Sequence, residues 1–231
     1  NNRTPTFFTG SKTKTDPGNR KDKNMDRNFL IKNNLTEITG DRFIIDMMYA
    51  TPENIILHPV YWEVGFGDRA YIHVDAAVRL QELAGELAAQ NLKLRIRDAY
   101  RPPVAHRRIL ELITVEGLFA SKPENSLHCY GTAIDCCLTD EKGRDLKFPT
   151  EIDGYEKKFA KQLTKGETEP FYKHLEKARQ DFLDTRYAEE INNRELLKKL
   201  MTSVGFETIN SEWWHFQLPG GKEDYPMIEW E

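Results

Sequence analysis

Two histidines, one aspartate and one glutamate stand out by type and spacing. His128 and Asp135 lie in the stretch Ser126-Leu127-His128-Cys129-Tyr130-Gly131-Thr132-Ala133-Ile134-Asp135, and Glu212 opens the stretch Glu212-Trp213-Trp214-His215. Imidazole nitrogens and a carboxylate oxygen are the donors that a catalytic zinc takes from protein, with a further position left to water. A carboxylate outside the ligand set can then act as base toward that water. The pattern predicts a zinc hydrolase with one zinc ion per chain, bound by His128, Asp135 and His215, with Glu212 as the free carboxylate. Taken singly, each residue could equally be a surface histidine, a satisfied core histidine or an unrelated acid. The set carries the reading.

The spacing also dictates how the backbone must run. His128 and Asp135 are separated by an odd number of residues, which on one continuous strand sends them to opposite faces. They converge only if the chain bends between them, and Gly131 supplies that freedom. Glu212 and His215 have an odd spacing too, so a bulge or tight turn is required near the start of the last strand. The three cysteines, Cys129, Cys136 and Cys137, crowd the same region. A thiolate ligand is one possibility; small buried packing groups are the other.

Around these residues the elements read as a mixture. From Val74 to Gln90, Leu80, Leu83, Ala84, Leu87 and Ala88 fall on one helical face, with Asp75 as N-cap. Leu92-Lys93-Leu94-Arg95-Ile96-Arg97 alternates as a half-buried strand does. A second helix is expected from Val104 to Phe119, and a buried strand from Thr132 to Leu138. The region Phe171–Val204 reads as largely helical, with Leu196, Leu197, Leu200 and Met201 on its buried stripe. Phe206–Ile209 and Trp213–Leu218 read as a closing antiparallel pair around Asn210-Ser211. Strands and helices do not alternate regularly, so the class is α+β.

A chain of 231 residues suits one domain plus a tail. Residues 1–28 are polar and charged, and are expected to form a flexible tail or an arm lying on the domain; residues 29–231 are expected to form the catalytic domain. A net charge of −4 does not suggest nucleic-acid binding, and no apolar run approaches the roughly 20 residues of a membrane span. The chain begins at Asn1, as a processed product would, so an exported, periplasmic protein is the expectation, with a cytoplasmic one as the alternative. His58, His73, His106 and His174 have no ligand spacing and read as surface or core residues.

The motif Ser-x-His-x-x-Gly-x-Ala-x-Asp followed by Glu-x-Trp-His resembles the zinc D,D-peptidases of the hedgehog/DD-peptidase fold, peptidase family M15. Within that group the chain is most similar to the VanX-type D-alanyl-D-alanine dipeptidases. Tyr49-Ala50-Thr51 with Asn54, Asp98-Ala99-Tyr100-Arg101-Pro102 and Thr150-Glu151-Ile152-Asp153 add to the resemblance, which covers residues 43–227. It implies a small central antiparallel sheet carrying the zinc site, flanked by helices. It also implies a small peptide substrate, D-Ala-D-Ala from cell-wall peptidoglycan chemistry. Glu212 would take a proton from the activated water and pass it to the leaving amine, and Arg101, oriented by Asp98, would stabilise the oxyanion. Ser126 and Tyr49 would hold the substrate carboxylate, and Asp153 its ammonium. The chain departs from the pattern in a shorter segment between Arg101 and Ser126 and a longer one between Asp153 and Glu212. A carboxypeptidase trimming stem peptides and a non-catalytic zinc-containing binding module are the alternatives.

Overall fold

The computed structural model describes residues 25–113, 118–154, 169, 173, 188–209 and 211–230. In chain order its elements begin with α1 (Arg27–Lys32), β1 (Leu35–Glu37), β2 (Phe43–Ile45), α2 (Val60–Glu63), β3 (Tyr71–His73) and α3 (Val74–Ala89). They continue with β4 (Leu92–Asp98), α4 (Pro103–Leu112), β5 (Ala133–Asp140), α5 (Ala188–Ser203), β6 (Glu207–Ile209), β7 (Glu212–Gln217) and α6 (Gly221–Asp224). The class is mixed α and β, as the irregular succession of periodicities predicts.

The main sheet has the strand order β2-β4-β5-β7-β6, and β1 pairs with β3 in a small separate sheet. The expectation of an antiparallel sheet is corrected at one edge, where β2 runs parallel to β4. A parallel pair needs a long crossover, and the chain between Ile45 and Leu92, which contains α3, supplies it. At the middle of the sheet, β5 is buried at every position from Ala133 to Thr139. Burial at successive positions marks a strand covered on both faces. β4 shows the strict alternation expected, with Leu92, Leu94 and Ile96 buried and the residues between them half-buried.

α3 packs against β4 and buries Ala76, Leu80, Leu83 and Leu87. Ala84 is half-buried and Ala88 exposed, so the buried stripe is narrower than its pattern suggests. The cap is also different: the ring of His73 accepts the Asp75 amide, which puts Asp75 inside the first turn. Its carboxylate still lies at the positive end of the helix. α4 ends at Leu112, seven residues before the expected boundary, and Ile113 is already extended (φ −144°, ψ 124°). The β-branched run Ile113-Thr114-Val115 disfavours helix at that point.

Leu197, Leu200 and Met201 of α5 are buried and Leu196 is half-buried. Of the helical stretch expected before it, residues 171–187 lie outside the described residues apart from Lys173. So do Asn210 and residues 1–24 of the expected arm. Met25 is buried, and its amide donates to the Tyr71 hydroxyl at 3.4 Å. Among the described residues, no helix is long and apolar enough to cross a membrane.

Candidate active site

Strand register brings three acid or base side chains into one row. Asp98 on β4 stands opposite Asp135 on β5, and Asp135 stands opposite His215 on β7. His128 is not on a strand; it sits on a single 3-10 turn, Leu127–Tyr130, that closes on Gly131 in the left-handed region at φ 68°. That turn is the bend the odd spacing demands. Glycine favours it, because it adopts a positive φ without strain and because a Cβ at Gly131 would stand 2.8 Å from Leu35 Cδ2. The second bend is present as well. β6 and β7 lose register between Thr208, opposite Phe216, and Ile209, opposite Glu212. The bulge in β7 turns Glu212 and His215 toward the same cleft.

The donor atoms of His128, Asp135 and His215 all lie within 4.8 Å of one another. His128 Nε2 is 3.3 Å from His215 Nδ1 and 3.4 Å from Asp135 Oδ2, and His215 Nδ1 is 3.1 Å from Asp135 Oδ1. A tetrahedral zinc with bonds of about 2.0–2.1 Å has ligand–ligand edges of about 3.3 Å, so the two ring nitrogens and the Asp135 carboxylate, which turns one oxygen to each ring, stand at the spacing of one face of its coordination sphere. The remaining ring nitrogens are held from behind: His128 Nδ1 donates to the Ala99 carbonyl at 2.8 Å, and His215 Nε2 to Gln217 Oε1 at 3.2 Å. Both bonds fix the ring that presents its other nitrogen forward. Burial opposes the charge on Asp135, but His128 and His215 outweigh it and hold its carboxyl far below the usual range. Burial likewise opposes a charge on His128, while Asp135 and Asp98 raise its pKa above the ordinary value.

Arg101 is buried beside this row. Its Nε and Nη2 donate to Asp98 Oδ2 at 2.9 and 2.6 Å. The other Asp98 oxygen accepts from the Tyr61 hydroxyl and the Ala99 amide, so both Asp98 oxygens are engaged and Arg101 is tied to a carboxylate that is itself held in place. The guanidinium also lies over the Tyr49 ring, 5.0 Å from its centroid. Asp153 sits in a 3-10 turn in the left-handed conformation, φ 56°. It is buried, and the Tyr49 hydroxyl donates to it.

A cleft of about 430 Å³ is lined by Arg101, Ser126, His128, Asp135, Asp153, Glu212 and His215. The structure thus gathers every sequence-derived site residue at or next to one cavity. Tyr49 does not reach the wall and stands behind Asp153, while Asp98 stands behind Arg101. Burial and the Asp135 carboxylate push the pKa of half-buried Glu212 up to about 7, and the same two causes push Asp153 up to about 6. A carboxylate near neutrality can both accept and return a proton at working pH.

The cysteines take no part in the donor cluster. All three are buried; burial pushes the thiols of Cys129 and Cys137 up to about 12 and that of Cys136 well above its usual value. Trp213 packs, stacked on Phe148 at 4.2 Å between centroids and donating to Thr150. Sequence reasoning missed Gln217 and Lys222, and it read His106 only as a surface or core histidine. Gln217 lies two residues beyond His215 on the same strand, a period that could have found it. Lys222 donates to Asn125 at 3.0 Å, and both line the cleft. His106 is fully buried against Arg101, and no spacing rule marks it.

The family model described as D-Ala-D-Ala dipeptidase matches residues 32–230. A D-alanyl-D-alanine dipeptidase of Escherichia coli (strain K12) is 29% identical over 184 residues, covering 80% of this chain and 82% of that protein. A D-alanyl-D-alanine dipeptidase of Enterococcus faecium is 29% identical over 203 residues, covering 79% of this chain and 91% of its own.

Proposed function

This chain belongs to the D-Ala-D-Ala dipeptidase family, and from that premise we propose that it is a zinc-dependent dipeptidase that splits D-Ala-D-Ala into two D-alanines. The observation that carries the reading is the meeting of the three-donor face, Glu212 and Arg101 in one cleft. A purely structural zinc site needs neither the free carboxylate nor the guanidinium. We read the sheet as that of the hedgehog/DD-peptidase fold and residues 29–231 as the catalytic domain; family membership supports both.

His128, Asp135 and His215 would hold the zinc. When bound, it supplies a lowered pKa to a water in the cleft and polarises the scissile carbonyl. A cation on the triad also offsets the Asp135 field that raises Glu212. Glu212 accepts a proton from the attacking water on its carboxylate oxygen and returns it to the leaving amine. Arg101, held by Asp98, directs N–H groups at the oxygen that gains charge as the tetrahedral centre forms; in a site with little water such a donor lowers the barrier by several kcal/mol. Ser126, in the wall beside His128, takes the substrate carboxylate. Asp153 pairs with the substrate ammonium, and the Tyr49 hydroxyl orients the Asp153 carboxylate. On this reading Tyr49 serves the ammonium end through Asp153, whereas the resemblance implies a role at the substrate carboxylate. An enzyme that grips both termini measures the length of its substrate.

Incubation of the zinc-loaded protein with D-Ala-D-Ala is expected to release D-alanine, and a chelator to stop it. Absence of D-alanine overturns the proposal. Faster cleavage of an N-acylated tripeptide would assign the chain to the carboxypeptidases instead.

A further inference from the structure

The donors of Arg101 are not held symmetrically. Nε and Nη2 both donate to a single atom, Asp98 Oδ2. Two bonds that converge on one oxygen act as a pivot, holding the guanidinium in place while letting it rock in its own plane. Asp98 has no second oxygen to spare, because Oδ1 accepts from Tyr61 and Ala99. The rings of Tyr49 and Phe119, 5.0 and 5.8 Å away, limit tilting out of the plane. In-plane rotation is stopped by a third point, His106, whose Nδ1 lies 3.3 Å from Arg101 Nη1.

His106 is fully buried and does not line the cleft. Its Nε2 is 2.8 Å from the Ala120 carbonyl. A carbonyl only accepts, so Nε2 carries the proton and Nδ1 turns its lone pair to Arg101. Burial and the neighbouring guanidinium push the His106 pKa down to about 4, which keeps the ring neutral. Phe119 and Ala120 line the same cleft as Arg101, so the imidazole joins the guanidinium to the cleft wall.

We propose that His106 is a positioning residue that sets the in-plane angle of Arg101 by accepting from Nη1, so that the remaining guanidinium N–H groups meet the reacting carbonyl oxygen. The inference rests on the reading of Arg101 as the oxyanion partner. Two half-mimics separate the two bonds of His106. In His106→Asn, Oδ1 can accept from Arg101 while the bond to Ala120 is lost. In His106→Gln, Nε2 can donate to Ala120 while the acceptor beside Arg101 is lost.

With zinc-loaded enzyme and D-Ala-D-Ala, H106Q is expected to lose about tenfold in kcat with KM within about twofold. H106N should stay within about threefold of the parent kcat, although each variant gives up one buried bond and melts at a similar temperature. An unchanged kcat in H106Q, or equal losses in both variants, overturns the inference. A parent enzyme with no activity on any D,D-peptide overturns the functional reading instead. Proton–nitrogen correlation spectra test the geometry without turnover. The Nε2–H tautomer is expected at neutral pH, and an Nδ1–H tautomer or an imidazolium overturns the inference whatever the activity.

Discussion

The two ends of the cleft are held in place by different means. At the metal end, Asp135 and His215 are cross-strand partners, and His128 hangs one short turn from the same strand. Each histidine is braced by an acceptor fixed in the backbone or on the same strand. At the other end, Asp153 stands on one left-handed turn and is held by a tyrosine 104 residues away in sequence. Register in a buried sheet admits few alternatives, whereas a turn held by side chains can shift with its partners. On the proposed reading, the chemistry resides in the rigid end and the choice of substrate in the adjustable one.

Substitutions at the rigid end should abolish turnover without altering what is recognised. The largest effect is expected for Glu212→Ala, about 10³–10⁴-fold in kcat, with zinc content per chain unchanged by metal analysis. Arg101→Lys comes next. An ammonium cannot reproduce the pair of bonds to Asp98, so kcat/KM should fall about 10²–10³-fold. Asp98 is fully buried and loses part of its bonding, so a stability loss of about 1–3 kcal/mol should accompany it in denaturant titration.

At the adjustable end the effect should be selective. Asp153→Asn is expected to lower kcat/KM for D-Ala-D-Ala about a hundredfold and to change cleavage of an N-acylated substrate by less than about threefold. Equal losses on both substrates would break the contrast between the two ends. Stability should move in the opposite direction. Burial first, then Asp135, raises the Asp153 pKa from 3.8 to about 6 in the fold, so folding takes up a proton there. The stability linked to that proton is fully present below about pH 4 and is lost as pH rises through about 6. In chelator, D153N should therefore exceed the parent by up to about 3 kcal/mol at pH 7, with the gap closing toward pH 4.

The smallest effect is expected on the bend itself. Gly131→Ala places a methyl 2.8 Å from Leu35 Cδ2 at a positive φ; a loss of about 1–3 kcal/mol in thermal or denaturant unfolding is expected.

The same contrast explains how much could be read from the chain alone. The donors, Glu212 and both required bends follow from residue type and odd spacing, because strands impose a period of two. β4 and α3 follow from periodicity, as strong local patterns do. The parallel edge of the sheet does not, since pairing between Phe43–Ile45 and Leu94–Ile96 depends on how the crossover packs. The cap of α3 came from the His73 ring rather than from the residue type usually found there. Tyr49 with Asp153, and Arg101 with His106 and Ala120, are contacts between side chains or loops that no short spacing encodes.

The most direct test of the account is to measure bound zinc and D-alanine release on the same samples of parent and Glu212→Ala protein supplied with D-Ala-D-Ala. One zinc per chain in both, with turnover in the parent and essentially none in the variant, is the predicted result. A parent that binds zinc yet releases no D-alanine, or a variant that keeps its turnover, would contradict the assignment of this cleft as a dipeptidase site.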